Sequence, residues 1–210
     1  MDINYWNNYY ESRGVTSQPS SFATFCLKEY IPKGARILDL GSGNGRDAFY
    51  FANNGFEVYA IDQSHTACLS NQEQAKKDSI NNVYFIESDF TKDSFTDLPI
   101  IDVFYSRFTM HSITLDQQNN LLQNIYAKIK KGGLVLVEAR TINDPLYGVG
   151  TDLDQHQFVT DHYRRFLEPD LFINNCIKIG FKLEYKIESS GLSIVNDDDA
   201  TLLRVVLSID

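Results

Sequence analysis

The chain has 210 residues, of which 43% are hydrophobic and 13% aromatic, and its formal net charge is −9 at pH 7. These values predict one folded domain with a sizeable core and exclude a disordered chain. The negative charge disfavours extended binding to DNA or RNA, because an acidic protein repels phosphate backbones. Three widely spaced cysteines, Cys26, Cys68 and Cys176, show neither a disulfide framework nor metal-ligand spacing.

No apolar stretch approaches the length of a membrane span, and the N-terminal residues lack the apolar core of a secretion signal. Cysteines outside any disulfide pattern fit a reducing compartment. We therefore expect a cytoplasmic protein, a monomer or homodimer, with no membrane and no nucleic-acid partner.

The predicted elements start with an N-terminal segment in which Trp6, Tyr9 and Tyr10 repeat at helical spacing. A helix within 19–31 follows, with Ser20 or Ser21 as its N-cap. The next elements alternate between apolar strands and helices. They are a strand at 33–41, a helix ending at Gly55, a strand at 56–62, a helix at 64–78, strands at 81–89 and 100–108, a helix at 115–130 that ends at the sequence KKGG, and a strand at 134–140.

Strands that alternate with helices and are apolar on both faces indicate a parallel sheet covered on both sides. The tail departs from this order. A helix at 168–180 precedes strands at 181–189 and 201–209, which follow each other without a helix between them and are separated by the polar turn at 196–200. Consecutive strands joined in this way are normally antiparallel neighbours, so the sheet should end in an antiparallel hairpin.

The stretch ILDLGSGNGRDAFYF, residues 37–51, runs from an apolar strand through three glycines into a helix. Glycine permits positive φ and has no Cβ to block a ligand, so this position predicts a nucleotide or cofactor site. Asp62, at the end of the next strand, suits ribose hydroxyls or caps the following helix. Asp89 with Phe90, after the third strand, suits an adenine amine and its ring, or is an ordinary strand end.

Asp39 lies inside the first strand, just before the glycines, where a carboxylate disfavours a pyrophosphate and suits an amino group and a sulfonium. Together, LDLGSGNGRD, Asp62, Asp89 and the terminal hairpin resemble the class I S-adenosylmethionine-dependent methyltransferases. The GNGRD form is similar to the tellurite-resistance type and related small-molecule methyltransferases. The resemblance implies an α/β fold with a Rossmann-like, doubly wound, mostly parallel seven-stranded sheet and a C-terminal antiparallel hairpin.

The resemblance also implies a cofactor, S-adenosyl-L-methionine, with S-adenosyl-L-homocysteine as product, and roles for matching residues. Asp39 and the turn would hold the methionine part, Asp62 and Gln63 the ribose, Asp89 and Phe90 the adenine, and Ser106 would line the sulfonium region. The turn residues are Gly41, Ser42, Gly43, Asn44 and Gly45.

In this architecture the fourth strand faces the cofactor, which places Arg107, Met110 and His111 near the reaction. His111 either contacts the substrate or is a structural histidine. The chain lacks the Asp/Asn-Pro-Pro-Tyr-like motif that many family members carry here, and this absence argues against methylation of nucleobase or glutamine nitrogens.

The segment 139–166 shows no clear periodicity and is long for a loop, which is typical of a functional or disordered segment. Its cations predict a small anionic acceptor, such as a phosphate or carboxylate. The alternative is a solvated loop whose aspartates neutralise these cations, and its His and Asp residues fit no standard metal spacing. Histidine is the usual general base near neutral pH. The candidate bases are His111, His156 and His162, and the candidate substrate contacts are Arg107, Arg140, Tyr147, Arg164, Trp6 and Tyr10.

A single domain over 1–210 is expected, with a helical lid segment at 1–34 and a substrate-side insertion at 141–166. Trp6, Tyr9, Tyr10 and Arg13 would form the lid, or would pack an amphipathic helix on the sheet. The expected function is methyl transfer to a small polar or anionic metabolite. The alternatives are a cofactor-binding protein without transferase activity and a protein-modifying methyltransferase. A nicotinamide oxidoreductase is disfavoured by Asp39 and the hairpin.

Overall fold

The computed structural model of the protein describes residues 3–11, 18–195 and 198–210. Arg13, predicted as part of a lid, lies outside these ranges, as do Asn196 and Asp197 of the predicted polar turn. The described helices begin and end close to where the apolar patterns place them. They are α1 (Ile3–Glu11), α2 (Ser21–Glu29), α3 (Arg46–Asn53), α4 (His65–Lys77), α5 (Leu115–Lys128) and α6 (Pro169–Ile179), with a 3₁₀ turn at Met110–Ser112.

The described strands form one large sheet and two small ones. They are β1 (Arg36–Leu40), β2 (Glu57–Asp62), β3 (Val83–Glu87), β4 (Ile101–Arg107), β5 (Ile129–Arg140), β6 (Thr151–Asp152), β7 (Gln157–Val159), β8 (Tyr163–Arg165), β9 (Lys182–Ser189), β10 (Ile194–Val195), β11 (Asp198–Asp199) and β12 (Leu202–Ser208).

The large sheet has seven strands in the order β3-β2-β1-β4-β5-β12-β9. The five strands from β1 to β5 pair in parallel, whereas β12 is antiparallel to both β5 and β9. The predicted fold class, a doubly wound, mostly parallel seven-stranded sheet with a C-terminal antiparallel hairpin, is therefore confirmed. Strand order reverses beside β1, and ligands of such sheets bind at this switch point.

The core lies on both faces of the sheet, because alternate side chains of one strand enter different clusters. On β4, Val103 and Tyr105 pack in the cluster that contains Phe22 and Phe51, while Phe104 packs in the other cluster. The first cluster is covered by α2 and α3, and the second by α5 and α6. This two-sided burial explains why the strands read as continuously apolar.

Contrary to the prediction, the sequence KKGG does not end a helix. Helix α5 ends at Lys128, and these four residues belong to β5. Lys130 pairs with Asp102 at 3.0 Å, and the Gly132 N–H donates to the Ile209 carbonyl at 2.9 Å. Hydrogen bonding to neighbouring strands therefore overrides the helix-terminus signal of the lysines and glycines.

The predicted insertion at 141–166 is not a bare loop, since it contains the three-stranded antiparallel sheet β6-β7-β8. An isolated parallel bridge between Thr141 and Leu167 joins its two ends beside β5. The N-cap of α2 is Ser20, whose hydroxyl accepts the Ala23 N–H. In the ranges that the structure describes, no helix combines the length and apolar character needed to cross a bilayer.

Candidate functional site

The glycine turn after β1 adopts a backbone that only glycine takes without strain. Gly41, Gly43 and Gly45 have φ values of 73°, 52° and 73°. A Cβ on Gly41 would lie 2.7 Å from the Thr109 hydroxyl, and one on Gly43 would overlap the Tyr10 hydroxyl. The turn therefore keeps its backbone open toward the cavity and lets α1 approach closely.

Asp62 holds this turn in place through both of its carboxylate oxygens. One oxygen accepts the Gly43 N–H at 2.9 Å, and the other accepts the Ser64 N–H at 2.8 Å. Burial raises the pKa of Asp62, and the backbone N–H groups oppose that effect. Each oxygen retains a lone pair, so Asp62 can brace the turn and also accept a hydroxyl from a ligand. The N-cap of α4 is Ser64, not Asp62.

Acidic side chains concentrate around the turn. Asp39 is buried, and its pKa is raised well above the usual value by burial and then by Asp47 and Asp62, while Arg107 acts in the opposite direction. Asp47 accepts hydrogen bonds from the Ser20 N–H and from the Tyr105 hydroxyl. Buried like charges disfavour ionisation, so this region favours a ligand that carries positive charge.

A cavity of about 560 Å³ opens over the carboxyl ends of β1, β4 and β5. The glycine turn forms one wall, and side chains from α1, β4, β5 and the insertion form the others. The predicted residues that line it are Asp39, Gly41, Ser42, Gly43, Asn44, Arg107, His111, Arg140, His162, Arg164, Trp6 and Tyr10.

A smaller cavity of about 40 Å³ adjoins the other side of the turn. Gly41, Asp62, Gln63 and Phe90 line it, together with Trp6 and Tyr10 of α1. The predicted ribose residues and the predicted adenine residue Phe90 therefore lie together. The Nε2 atom of Gln63 is buried and has no hydrogen-bond partner within the described residues.

Asp89 lines neither cavity as the described residues define them. Its carboxylate accepts the Thr91 hydroxyl at 2.6 Å and lies 2.9 Å from the Lys92 ammonium. Burial acts to raise the pKa of Asp89, but the hydrogen bonds from Thr91 and Lys92 outweigh it and lower the pKa. Its predicted contact with adenine remains a prediction, and the chain also uses it to end β3 in a turn.

Ser106 and Gly45 are not among the described residues that line the two cavities. Ser106 lies on β4 opposite Leu40, and its buried hydroxyl has no partner among the described side chains. Gly45 is the N-cap of α3, and a Cβ on it would lie 2.9 Å from Asn71. Asn71 in turn donates to the Gly43 carbonyl at 2.8 Å, so both glycines depend on the packing of α4.

Three arginines of the cavity are fixed by acidic partners. Arg107 donates to Glu138 at 3.0 Å, and Arg164 lies 3.3 Å from Asp161. Arg140 binds both oxygens of Asp144 through one terminal nitrogen, at 2.9 and 3.0 Å. Asp144 and Asp161 thus neutralise cations locally, as the alternative interpretation of the insertion predicts. The arginines nevertheless face the cavity.

His111 lies in the 3₁₀ turn after β4 and is buried. Its Nδ1 accepts the Arg140 backbone N–H at 3.4 Å, which leaves the proton of a neutral ring on Nε2. Burial lowers the pKa of His111 well below its usual value, and Arg140, Arg164, His162 and Arg165 act in the same direction. This tautomer presents a hydrogen-bond donor, and not a base, at its other ring nitrogen.

His162 lies between the aromatic residues of α1 and Asp161. Its ring centroid is 4.6 Å from that of Tyr5 and 5.2 Å from that of Trp6. Its Nδ1 is 3.0 Å from Asp161, although the angle does not make a hydrogen bond. Burial, followed by Arg164, lowers the pKa of His162, so the ring is neutral near pH 7 and able to accept a proton.

His156 and Tyr147 lie apart from the other predicted residues. The Tyr147 hydroxyl and His156 Nδ1 are 2.7 Å apart, and Tyr147 packs edge-on against Phe158 and Phe166. Neither residue is among those that line the 560 Å³ cavity. Their contacts support the small sheet of the insertion.

Helix α1 closes the cavity from outside with its aromatic face. The Tyr5 hydroxyl donates to Asp161 at 2.8 Å, and the Ser64 hydroxyl donates to Asn7 at 2.7 Å. Burial raises the pKa of Tyr10 well above its usual value, and Asp62 is the next contributor. The predicted lid residues Trp6, Tyr9 and Tyr10 line the cavity, as a lid requires; whether the helix moves stays a prediction.

Sequence reasoning missed several residues of the cavity wall. Arg46 directly follows the glycines, and its Nε is buried without a hydrogen-bond partner among the described residues. Its position directly after the glycine turn is a sequence signal that could have identified Arg46 as a wall residue. Tyr105 and Asp47 are 58 residues apart, so no local pattern could have joined them. The other missed wall residues are Tyr5, Phe108, Ser193 and Asp198.

Residues 37–133 match the family model described as a methyltransferase domain. This range contains the glycine turn, Asp62 and the end of β4. This part of the chain is a class I S-adenosylmethionine-dependent methyltransferase domain. The predicted family is thereby confirmed.

Curated relatives of this methyltransferase domain are distant. A Geobacillus sp. (strain WCH70) protein named as a methyltransferase is 25% identical over 138 residues, which are 65% of this chain and 56% of the relative. A carboxy-S-adenosyl-L-methionine synthase of Campylobacter jejuni subsp. doylei is 24% identical over 123 residues, which are 58% of this chain and 51% of the relative. The chain thus spans about half the length of the curated relatives it matches.

Solved structures share the fold of the domain. The glycopeptide N-methyltransferase MtfA in complex with S-adenosyl-L-homocysteine has a TM-score of 0.72 at 14% identity, with 94% of this chain and 92% of that chain covered. A TehB-like S-adenosylmethionine-dependent methyltransferase from Corynebacterium glutamicum has a TM-score of 0.64 at 20% identity, with 91% of this chain and 88% of that chain covered.

S-adenosylmethionine is the cofactor of this family, as predicted, and the residues of the switch point fit it. The buried acids beside the turn match its positive charges. Cβ atoms at Gly41 and Gly43 would narrow the cavity at the turn. The Ser42 hydroxyl in the larger cavity and Gln63 Nε2 in the smaller one lack partners within the part of the chain that the structure describes, so each can bond a polar group of a ligand.

Proposed function

We propose that this protein transfers a methyl group from S-adenosylmethionine to a small polar or anionic metabolite. One observation carries the proposal: the glycine turn and a set of arginine, histidine and aromatic side chains line a single cavity of about 560 Å³. A cofactor held at the turn and an acceptor held by those side chains would therefore meet in one chamber.

The cofactor supplies an electrophilic methyl group on a sulfonium. Asp39 would pair with a positive charge of the ligand, and Asp62 with Gln63 would bind its hydroxyls. Arg46 is the cation closest in sequence to the turn. Its Nε lies 3.8 Å from Asp47 but has no hydrogen-bond partner among the described residues, which suits the carboxylate of an amino acid. The aromatic residues of α1 would exclude water, which favours displacement by a nucleophile over hydrolysis.

Arg107 and Arg140 support a polar or anionic acceptor, because both line the cavity and lie over one aromatic ring. Their guanidinium carbons are 4.1 and 5.8 Å from the centroid of Phe108. The cavity volume limits the acceptor to a small molecule or the tip of a larger one. Correct placement of two reactants can supply most of the rate acceleration of such a displacement.

His162 is the base that the geometry favours among the three predicted histidines. It lines the cavity, is neutral near pH 7 and has Asp161 beside its Nδ1. His111 would instead donate a hydrogen bond to the acceptor, since its Nδ1 already accepts one. His156 has no place at the reaction, because Tyr147 holds it in the insertion.

A carboxylated sulfonium is a second candidate ligand. The Campylobacter relative is named as a carboxy-S-adenosyl-L-methionine synthase, and Arg107 and Arg140 lie where β4 and β5 reach the cavity. Mass spectrometry of small molecules released from the purified protein separates the two candidates, since the carboxylated form carries extra mass that S-adenosylmethionine lacks. A bound carboxylated form would favour this candidate over simple methyl transfer.

The test of the main proposal is the formation of S-adenosylhomocysteine from methyl-labelled S-adenosylmethionine with a panel of small carboxylates, phosphates, amines and phenols. We expect labelled product with at least one acceptor, and its loss in His162→Ala and Arg107→Gln. Tight binding of S-adenosylhomocysteine without turnover on any acceptor would favour the cofactor-binding alternative. Transfer of label only to protein in a lysate would favour the protein-modifying one.

A further inference from the structure

Arg107 and Arg140 are held in the same way, each by an inner acidic partner and by an outer partner near the β10–β11 pair. The inner partners are fully buried: the Glu138 side chain binds Arg107, and the Asp144 side chain binds Arg140. Glu138 also accepts from Arg204 at 2.6 Å, and Asp144 accepts the Thr201 N–H at 3.0 Å. These networks fix both guanidinium groups independently of any ligand.

The outer partners come from one short stretch of chain. Arg107 donates to the Ser193 hydroxyl at 2.9 Å, and Arg140 donates to the Asp198 carboxylate. Ser193 and Asp198 both line the cavity. They therefore occupy the donors that the two arginines would otherwise direct at an acceptor.

We propose that Arg107 and Arg140 form a carboxylate-binding subsite for the methyl acceptor, and that the Asp198 carboxylate occupies this subsite until the acceptor displaces it. The inference rests on the proposed function, since it specifies the class of acceptor. Arg140 binds the carboxylates of Asp144 and Asp198, so its geometry already suits this class of anion.

The two carboxylates on Arg140 differ in how easily they are replaced. The Asp144 side chain is fully buried, whereas 49% of the Asp198 side chain is exposed. A displaced Asp198 can be solvated at once, while a displaced Asp144 would leave a buried charge without a partner. Exchange at the outer position therefore keeps Arg140 oriented and releases donors toward the cavity.

Phe108 defines what the carboxylate must be attached to. Its ring lies beneath both guanidinium groups, and the ring of Trp6 lines the same cavity. An acceptor with a planar or apolar body next to its carboxylate matches this surface. Benzoate has both features and serves as a probe.

The test measures benzoate binding by calorimetry to the protein saturated with S-adenosylhomocysteine. We expect Asp198→Asn to bind benzoate about two- to fivefold more tightly than the unmodified protein, the range expected for loss of a partly exposed ion pair. Asp170→Asn is the matched control, because it removes the same charge from an exposed ion pair on α6. Its benzoate affinity should equal that of the unmodified protein.

A double-mutant cycle gives the decisive comparison. Arg140→Gln should weaken benzoate binding, and Asp198→Asn should then have no further effect. Unchanged or weaker binding in Asp198→Asn alone, or an equal gain in the Arg140→Gln background, would overturn the proposal. Failure of S-adenosylhomocysteine to bind in the first titration would instead count against the proposed function, so the two failures are separate observations.

Discussion

At the scale of single residues, Asp39 is the position where stability and ligand binding oppose each other. Its buried carboxyl has a raised pKa because of burial, Asp47 and Asp62. An acid whose pKa is higher in the folded than in the unfolded protein destabilises the fold at pH values above the unfolded pKa. Asp39 thus weakens the fold at neutral pH and becomes favourable only when a cation binds beside it.

The affinity for S-adenosylmethionine should therefore rise with pH through the raised pKa of Asp39. A cationic ligand prefers the ionised carboxylate, so binding at a pH below that pKa must release a proton. Calorimetry in two buffers of different ionisation enthalpy measures this release. Asp39→Asn should lose both the proton release and most of the affinity.

The same variant should be more stable than the unmodified protein at pH 7, because it removes an unfavourable buried charge. Each 1 kcal/mol gained corresponds to about 2–4 °C in Tm for a chain of this size. Asp97→Asn, at an exposed position, is the control and should change neither property. A lower Tm for Asp39→Asn would show that Asp39 is needed for folding.

Gly43 tests the role of the turn. Ala at Gly43 or at Gly55 meets a positive φ, 52° and 86° respectively, and each should cost about 1 kcal/mol of stability. The two positions differ in the space around them: a Cβ on Gly43 overlaps Tyr10, whereas no described residue lies within 4 Å of one on Gly55. Gly43→Ala alone should weaken binding of S-adenosylhomocysteine in calorimetry; equal binding in both variants would contradict this role.

At the scale of elements, a buried arginine fixes the 3₁₀ turn that carries His111. Arg165, at the end of β8, donates to the carbonyls of Ile113 (2.9 Å) and Met110 (3.2 Å) and to Gln118 at 2.5 Å. The small sheet of the insertion is thereby tied to the loop after β4. The small sheet therefore helps to position the site residue His111.

Arg165→Met should lower the free energy of unfolding by about 2–3 kcal/mol, since hydrogen bonds that involve a charged group are lost while buried carbonyls remain. Urea titration measures this change. Arg164→Gln is the control, because Arg164 faces the cavity and its bonds to Thr160 and Asp161 are partly exposed. A loss of stability as large in Arg164→Gln would show that Arg165 has no special structural role.

The elements that the sequence predicted and those it did not differ in burial. Strands β1 to β5 lie in a sheet that is covered on both faces, and burial on both faces is what produces their apolar runs. Strands β6 to β8 have only two or three residues each, and Phe158 is their one buried apolar side chain, so they leave no hydrophobic pattern. The Asp198–Arg140 contact spans 58 residues, and no local spacing could predict it.

At the scale of the whole molecule, the sheet supplies a rigid base and the parts that complete the cavity are added from both ends of the chain. The glycine turn and Arg107 lie on the central strands β1 and β4. Helix α1 covers them from the N-terminal side, and Ser193 with Asp198 approaches from the C-terminal side. Central strands are the most buried part of such a fold, whereas α1 has no fully buried residue. Substrate access therefore depends on the peripheral elements.

Deletion of residues 1–11 should accordingly separate binding from folding. Tm should change little, because no residue of α1 belongs to either apolar cluster of the sheet core. The Kd for S-adenosylhomocysteine should rise about tenfold, equivalent to about 1.4 kcal/mol, since the aromatic wall of both cavities is lost. Calorimetry and thermal unfolding measure the two quantities. Asn7→Ala, which removes only the bond to Ser64, is the control and should bind normally. An unchanged Kd after the deletion would show that α1 does not cover the bound cofactor.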